Sequence, residues 1–349
     1  MHHPAGVARV LLYPTSTTTN FQCKCGLLGD SKGGRLPAFL WTKKYDYGLT
    51  MRNRLRIMAS MKKLDHKTRG QVLHLLMEGN SIRGTARLTG ISKTTILKLL
   101  EDAGEAAIWY QDRVLRNLPC QKIQIDECWG FVGCKQANKA RAKIKTPGRG
   151  DAWLWVVTCA DTKLVPTFFI GQRDTASAYE LLSDLGERLD GRRIQLTTDG
   201  FRAYVPMVEA TLDPMNVDFA QLQKQYGPSY EGTKGSAERR YSPAVCVGAK
   251  KVPVMGNPDP KHISTSYAER NNLNIRMHSR RMTRLTNAFS KTLDNHWHAM
   301  ALHFLYYNFV RVHQTLKMSP AMAAGVTKRL WEMTDVVEML EAWEQSVAP

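Results

Sequence analysis

What the sequence lacks narrows the field first. No apolar run in the 349 residues approaches the length that spans a bilayer; the segment Val7–Tyr13 is short and broken by Arg9, so no membrane-spanning helix is expected. The seven cysteines (Cys23, Cys25, Cys120, Cys128, Cys134, Cys159 and Cys246) are odd in number, scattered and never spaced C-x-x-C. That pattern argues against a secreted disulfide framework and against a zinc ribbon, and Cys23-x-Cys25 alone is too little for a structural zinc. Acid is scarce: 31 Asp and Glu stand against 49 Lys and Arg, a net charge of +18. Such an excess attracts polyanions through its summed field, and nucleic acid is the partner it implies. The cations cluster, with six and no acid between Lys135 and Arg149, and again six and no acid between Arg270 and Lys291.

Residues 1–60 carry no sustained helix or strand period and read as an unstructured leader. Met51, Met58 and Met61 just upstream of the first convincing element also fit a misassigned translation start. From 61 to 104 the period is helical. Val72, Leu75 and Leu76 mark a first helix stopped at Glu78-Gly79-Asn80. Ser81 caps a second carrying Ala86 and Leu88, and Thr89-Gly90 turns the chain. Ser92 caps a third whose Ile96, Leu99 and Leu100 face inward. Residues 105–119 read as a linker.

Strand signals follow at Lys122–Val132, Asp151–Ala160 and Val165–Gly171. Then come a helix over Ala176–Leu189, a fourth strand from Arg192 ending in Asp199-Gly200, a helix near Val205–Leu212 and a short strand near Val217. This order predicts an α/β fold: a mixed, ribonuclease-H-like sheet over 120–327, preceded by the all-α unit. Residues 226–265, rich in Gly, Pro and basic side chains, read as a basic insertion forming a loop or small hairpin. Helices are expected over Ser266–Thr286 and Asp294–Gln314, and a C-terminal helix within 328–349.

Three carboxylates stand out by position: Asp126 in the first strand, Asp199 at the end of the fourth, and Glu269 in the first turn of a basic helix. In a ribonuclease-H-like sheet the first and fourth strands are neighbours. Carboxylates held that close repel each other unless a cation intervenes, and Mg²⁺ or Mn²⁺, as two ions, suits hard oxygen ligands. Each acid also has a plain reading: Asp126 as an exposed strand residue beside Glu127, Asp199 as a turn former, Glu269 as the partner of Ser266 in a capping box. Helical spacing sets Asn272, Leu273, Arg276 and Arg280 on the face of Glu269. His296-x-His298 lies on an apolar helix and reads as packing rather than as a metal pair. Tyr306, Tyr307, Arg311 and His313 do not make a tyrosine-recombinase set, since residue 316 is Leu where H-x-x-R needs Arg.

The segment SIRGTARLTGISKTTILKLLEDAG resembles helix-turn-helix DNA-binding units. The resemblance implies a recognition helix from Ser92, with Lys93, Thr94, Thr95 and Lys98 toward DNA and Arg83 and Arg87 near phosphates. STSYAERNNLNIRMHSRRMTRLTNAFSKTLDNH with YYNFVRVHQTLKMSPAMAAGVT, and QIDECWGFVGCK with LTTDGFRAYV, resemble the motifs of bacterial insertion-sequence transposases of the DDE type. That resemblance implies Asp126, Asp199 and Glu269 as metal-binding catalytic residues, Arg276, Arg280 and Arg281 as DNA contacts, and cleavage and strand transfer at transposon ends. It also implies a homo-oligomer on DNA in the bacterial cytoplasm, associated with the nucleoid. A helix-turn-helix regulator with an inactive sheet domain, or a metal-dependent nuclease without strand transfer, remain the competing readings.

Overall fold

The computed structural model describes residues 63–142, 148–227, 246–283 and 286–347. The leader over 1–60 and residues 228–245 of the insertion over 226–265 lie outside the described residues. Three helices open the described chain: α1 (His66–Met77), α2 (Ile82–Thr89) and α3 (Lys93–Val114). Their starts are set by short oxygen-bearing side chains: Asp65, Ser81 and Ser92 accept the amides of Thr68, Gly84 and Thr95. Gly90 ends α2 at φ 72°, a left-handed position that glycine takes without strain. Ile96, Leu99 and Leu100 are buried as expected, but Leu88 is 64% exposed.

The linker expected over 105–119 is instead largely helix, because α3 runs unbroken to Val114. Its Ala103, Ala106 and Ala107 are fully buried, so the small residues that resemble a weak stretch in sequence are there to admit a close neighbour. That neighbour is α7 (Leu293–Leu305), to which His298 Nε2 bonds Glu105 Oε1 at 2.9 Å. Gln111 Nε2 also donates to Ala301 O at 3.2 Å. The helix α9 (Met333–Val347) packs on α1 through Arg69, whose guanidinium meets Glu341 at 3.1 Å and Glu344 at 2.5 Å.

The sheet contains β1 (Lys122–Val132), β2 (Gly150–Cys159), β3 (Phe168–Gly171), β4 (Ile194–Asp199), β5 (Val217–Tyr226) and β6 (Cys246–Met255), in the order β3-β2-β1-β4-β5-β6. β2 runs antiparallel to both β1 and β3, β4 joins β1 in parallel, β5 joins β4 in parallel, and β6 closes the edge antiparallel to β5. This mixed α/β sheet is consistent with a ribonuclease-H-like fold. Between strands lie α4 (Thr175–Arg188) and α5 (Tyr204–Thr211), and after β6 comes α6 (Ser266–His278). Arg188 forks onto Asp184 and reaches Asp112 at 2.9 Å, which ties α4 to α3.

Three elements differ from the sequence expectation. β5 is ten residues long rather than short, and β6, paired antiparallel with it, occupies part of the insertion that reads as a loop or small hairpin; Pro253 is tolerated there because β6 is an edge. α6 ends at His278 rather than near Thr286, so Arg280 lies beyond the helix. α7 stops at Leu305 and continues as a π-helical turn over Tyr306–Val310, where buried Asn308 takes the Val165 amide at 3.0 Å and donates to the Val165 carbonyl at 2.9 Å. The C-terminal helix occupies Met333–Val347, and α8 (Pro320–Ala323) is a single turn before it. No helix among the described residues is long and apolar enough to cross a membrane.

Candidate functional site

β1 and β4 are hydrogen-bonded only at their beginnings, ending with Gln124 opposite Thr197. Extending that register by two residues sets Asp126, in the middle of β1, opposite Asp199 at the carboxyl end of β4, where the two strands begin to part. In open α/β sheets this is where crevices form. One oxygen each from Asp126, Glu127 and Asp199 lie within 4.8 Å of one another.

Alternation along β1 sends consecutive side chains to opposite faces. Gln124 and Asp126 face α6. The Gln124 Oε1 takes the amides of Tyr267 at 2.8 Å and Ala268 at 3.2 Å, so a strand side chain satisfies the first turn of α6. Asp126 Oδ2 accepts from Asn272 Nδ2 at 2.9 Å. Glu127 faces the other way, where the Tyr204 hydroxyl of α5 donates to its Oε1 and Arg173 Nε to its Oε2 at 3.1 Å. Asp199, at the strand end, serves both sides. Its Oδ1 takes the Phe201 amide at 2.9 Å, a turn bond, and its Oδ2 takes Arg173 Nη2 at 3.0 Å. The turn-forming and site readings of Asp199 are therefore realised together.

Glu269 stands apart from the three. It lies in the first turn of α6, as expected, but its Oε1 meets Lys224 Nζ of β5 at 2.7 Å and accepts from the Thr265 hydroxyl. The capping residue is Thr265 rather than Ser266, and no Ser266–Glu269 box forms: the Ser266 amide goes to Ser264 Oγ at 3.2 Å and the Glu269 amide to the Thr265 carbonyl at 2.9 Å, while Gln124 takes those of Tyr267 and Ala268. The charge of Glu269 still reaches Asp126 and adds to its repulsion.

Burial, then the Asp199 charge, pushes Asp126 up to about 6 and Glu127 up to about 7. Arg173 and Lys224 are the cations seated among these four carboxylates. The donor set, clustered hard oxygens whose protons are held by burial and then by mutual repulsion, fits a divalent cation. A stability consequence follows. Without a cation the folded protein holds protons on Asp126 and Glu127 that the unfolded chain releases near pH 4. The stability this gives is complete below about pH 4 and is lost as pH rises through about 6 to 7. Scanning calorimetry should show Mn²⁺ raising the melting temperature at about pH 8 and doing little at about pH 5. An equal shift at both would contradict metal binding at these acids.

The basic residues assigned from sequence divide by environment. Arg83, Arg87, Lys93 and Thr94 are exposed; Thr95 is half-buried on the Ser92 hydroxyl, and Lys98 pairs with Asp102 at 3.3 Å. Arg280 is exposed, but Arg276 donates to the carbonyls of Met282 and Trp129, and Arg281 points inward to Ser290 Oγ at 3.1 Å, burial lowering it to about 10. These two arginines hold the turn after α6 in place. His296, fully buried, bonds Ser290, while His298 bonds Glu105, so the pair does not converge on one point. The Tyr306 and Tyr307 hydroxyls are likewise spent on Glu78 and the Lys163 carbonyl.

Sequence reasoning passed over Glu127, Arg173 and Lys224. The available signal for Glu127 was adjacency to Asp126, which alternation discounts; the two cations come from a loop and a distant strand.

No protein-family model matches the chain, and no curated protein matches it. Among solved structures it is similar to "Mos1 transposase paired-end complex with left transposon end", at 12% identity over 52% of this chain and 70% of that one, with a TM-score of 0.19. The pre-cleavage Mos1 transpososome shares 10% identity over 89% and 92%, with a TM-score of 0.29. A piggyBac transposase synaptic complex with hairpin DNA shares 12% over 85% and 76%, with a TM-score of 0.34. Likenesses this distant do not establish a family for the chain.

Proposed function

We propose that the chain is a DNA transposase of the DDE type, which binds the ends of an insertion sequence and catalyses 3′-end cleavage and strand transfer. The observation that carries this reading is the closeness of Asp126, in the middle of β1, to Asp199, at the end of β4 where the two strands part, with Glu269 on the helix packed over Asp126. Asp126 and Asp199 would hold Mg²⁺ or Mn²⁺, as two ions, and Glu269, on exchanging Lys224 for the metal, would be the third ligand. Bound there, the metal would supply Lewis-acid activation of the attacking oxygen and charge neutralisation at the leaving oxygen. Asn272 orients the Asp126 carboxylate, Gln124 fixes the start of α6, and Arg173 holds Asp199 to Glu127. α2 and α3 form the helix-turn-helix, Arg83 and Arg87 near phosphates and Lys93, Thr94, Thr95 and Lys98 toward the groove. Joining two ends calls for a homo-oligomer on DNA.

The compact grouping of Asp126, Glu127 and Asp199 favours a second ligand set, in which Glu127 replaces Glu269. Strand-transfer assays with pre-cleaved ends from the DNA flanking the gene and a supercoiled target plasmid separate these readings. The wild type should join ends to plasmid in Mn²⁺. Glu269→Gln should lose at least about a hundredfold while Glu127→Gln keeps measurable joining; the reverse order would move the third ligand to Glu127. Cleavage without joining would indicate a nuclease, and end binding without either a regulator.

A further inference from the structure

The side chains of β1 that share a face with Glu127 continue outward as Trp129 and Phe131, and Trp153 of β2 sits directly across from Trp129. On the opposite face Cys128, Gly130 and Val132 are buried, whereas Trp129, Phe131 and Trp153 are each half-buried. Phe289 extends the row. Its ring centroid is 4.8 Å from Phe131, which is 5.8 Å from Trp129, and both pairs are tilted by 38°.

Cations edge this row along its length. The Arg173 guanidinium lies 5.4 Å over Trp153, Lys135 Nζ lies 5.7 Å over Trp129, and Lys291 Nζ lies 3.1 Å over Phe289. Burial, then the charges of Arg83 and Arg149, lowers Lys291, so these cations gather at the far end. Asp151, across from Phe131, has its Oδ1 turned to the Gln136 amide at 2.9 Å. Half-buried aromatic side chains in a row, three of them with a cation over the ring that a base would displace toward its own phosphate, match a strand of unpaired bases and its phosphates. A duplex keeps its base faces stacked on one another and offers the row nothing to stack on.

We propose that the Trp153–Trp129–Phe131–Phe289 row is a binding strip for a single, unpaired DNA strand, with bases on the rings and phosphates on Lys135, Arg173 and Lys291. The row begins beside Glu127, so a strand lying on it leads away from the acidic cluster. The proposal deepens the transposase reading by assigning the DNA next to the cut to an unpaired state, but the binding itself requires no catalysis.

The test uses the full chain and fluorescence anisotropy with an oligothymidylate of about 12 nucleotides and a duplex of equal length. The variant Trp129→Leu with Phe131→Leu should bind the single strand about tenfold more weakly and the duplex within about twofold of wild type. Unchanged single-strand affinity in a variant that melts like wild type would overturn the proposal. Should the variant fail to fold, the wild type photocrosslinked to bromodeoxyuridine-substituted oligonucleotide decides. Adducts on Trp129, Phe131, Trp153 or Phe289 support the strip, and adducts confined to α2 and α3 refute it. A catalytic reading that failed, with Asp199→Asn still cleaving, would leave these binding results standing.

Discussion

Asp199→Asn is expected to reduce metal-dependent cleavage at the element's ends by at least about a thousandfold while leaving end binding within about twofold. The asymmetry follows from the geometry. Asn keeps an acceptor for the Phe201 amide, so the turn after β4 survives, but it forfeits the charge that Oδ2 presents to Arg173 and to the cluster. Losing that charge also relieves Asp126 and Glu127, both of which Asp199 pushes upward, so the variant should be at least as stable as wild type without metal at neutral pH. A fall in activity therefore cannot be charged to unfolding. Side-by-side end-binding and cleavage assays check it, and retained cleavage would remove Asp199 from the active site.

Gly104→Ala is expected to destabilise the protein by about 3 kcal/mol, against the usual gain from replacing glycine inside a helix. A Cβ at position 104 would fall 2.4 Å from His298 Cβ, 2.5 Å from its Cα and 2.8 Å from its carbonyl oxygen. Backbone atoms cannot swing aside as a side-chain tip can, so α3 and α7 must separate. Separation weakens the Glu105–His298 pair and the Gln111 bond to Ala301 and opens space around Ala103, Ala106 and Ala107. In thermal melts the variant should lose several degrees. A variant that melts at or above the wild-type temperature would show that the helices do not cross closely at this glycine.

Local signals account for what was legible in the sequence. Ser81 and Ser92 cap where a short hydroxyl before a helical period should cap, and the strand ending in Asp199-Gly200 ends there because its carboxylate closes a turn. The pairing of Asp126 with Asp199 follows from strand order alone. What stayed hidden depends on contacts between distant segments. Residues 105–119 look like a linker until α7 is packed against α3, which runs on through Gly104 to Val114. Gln124 looks like a solvent-facing strand residue, yet it is 3% exposed because α6 lays its first amides on it. The cations that neutralise the acids, Arg173 and Lys224, lie 46 and 45 residues from the acids they pair with, Glu127 and Glu269, and no local pattern connects them. β6 is masked by its lysines and Pro253, which an edge strand accommodates.

The most direct measurement maps new DNA ends. The protein is incubated with the DNA flanking its gene in Mg²⁺ or Mn²⁺, with Asp199→Asn in parallel, and the 3′-hydroxyls formed are located to the nucleotide. The account predicts wild-type cleavage at the boundary of an inverted repeat and none with the variant. Binding with no new 3′-hydroxyl in either metal, or cleavage that the variant retains, would contradict it.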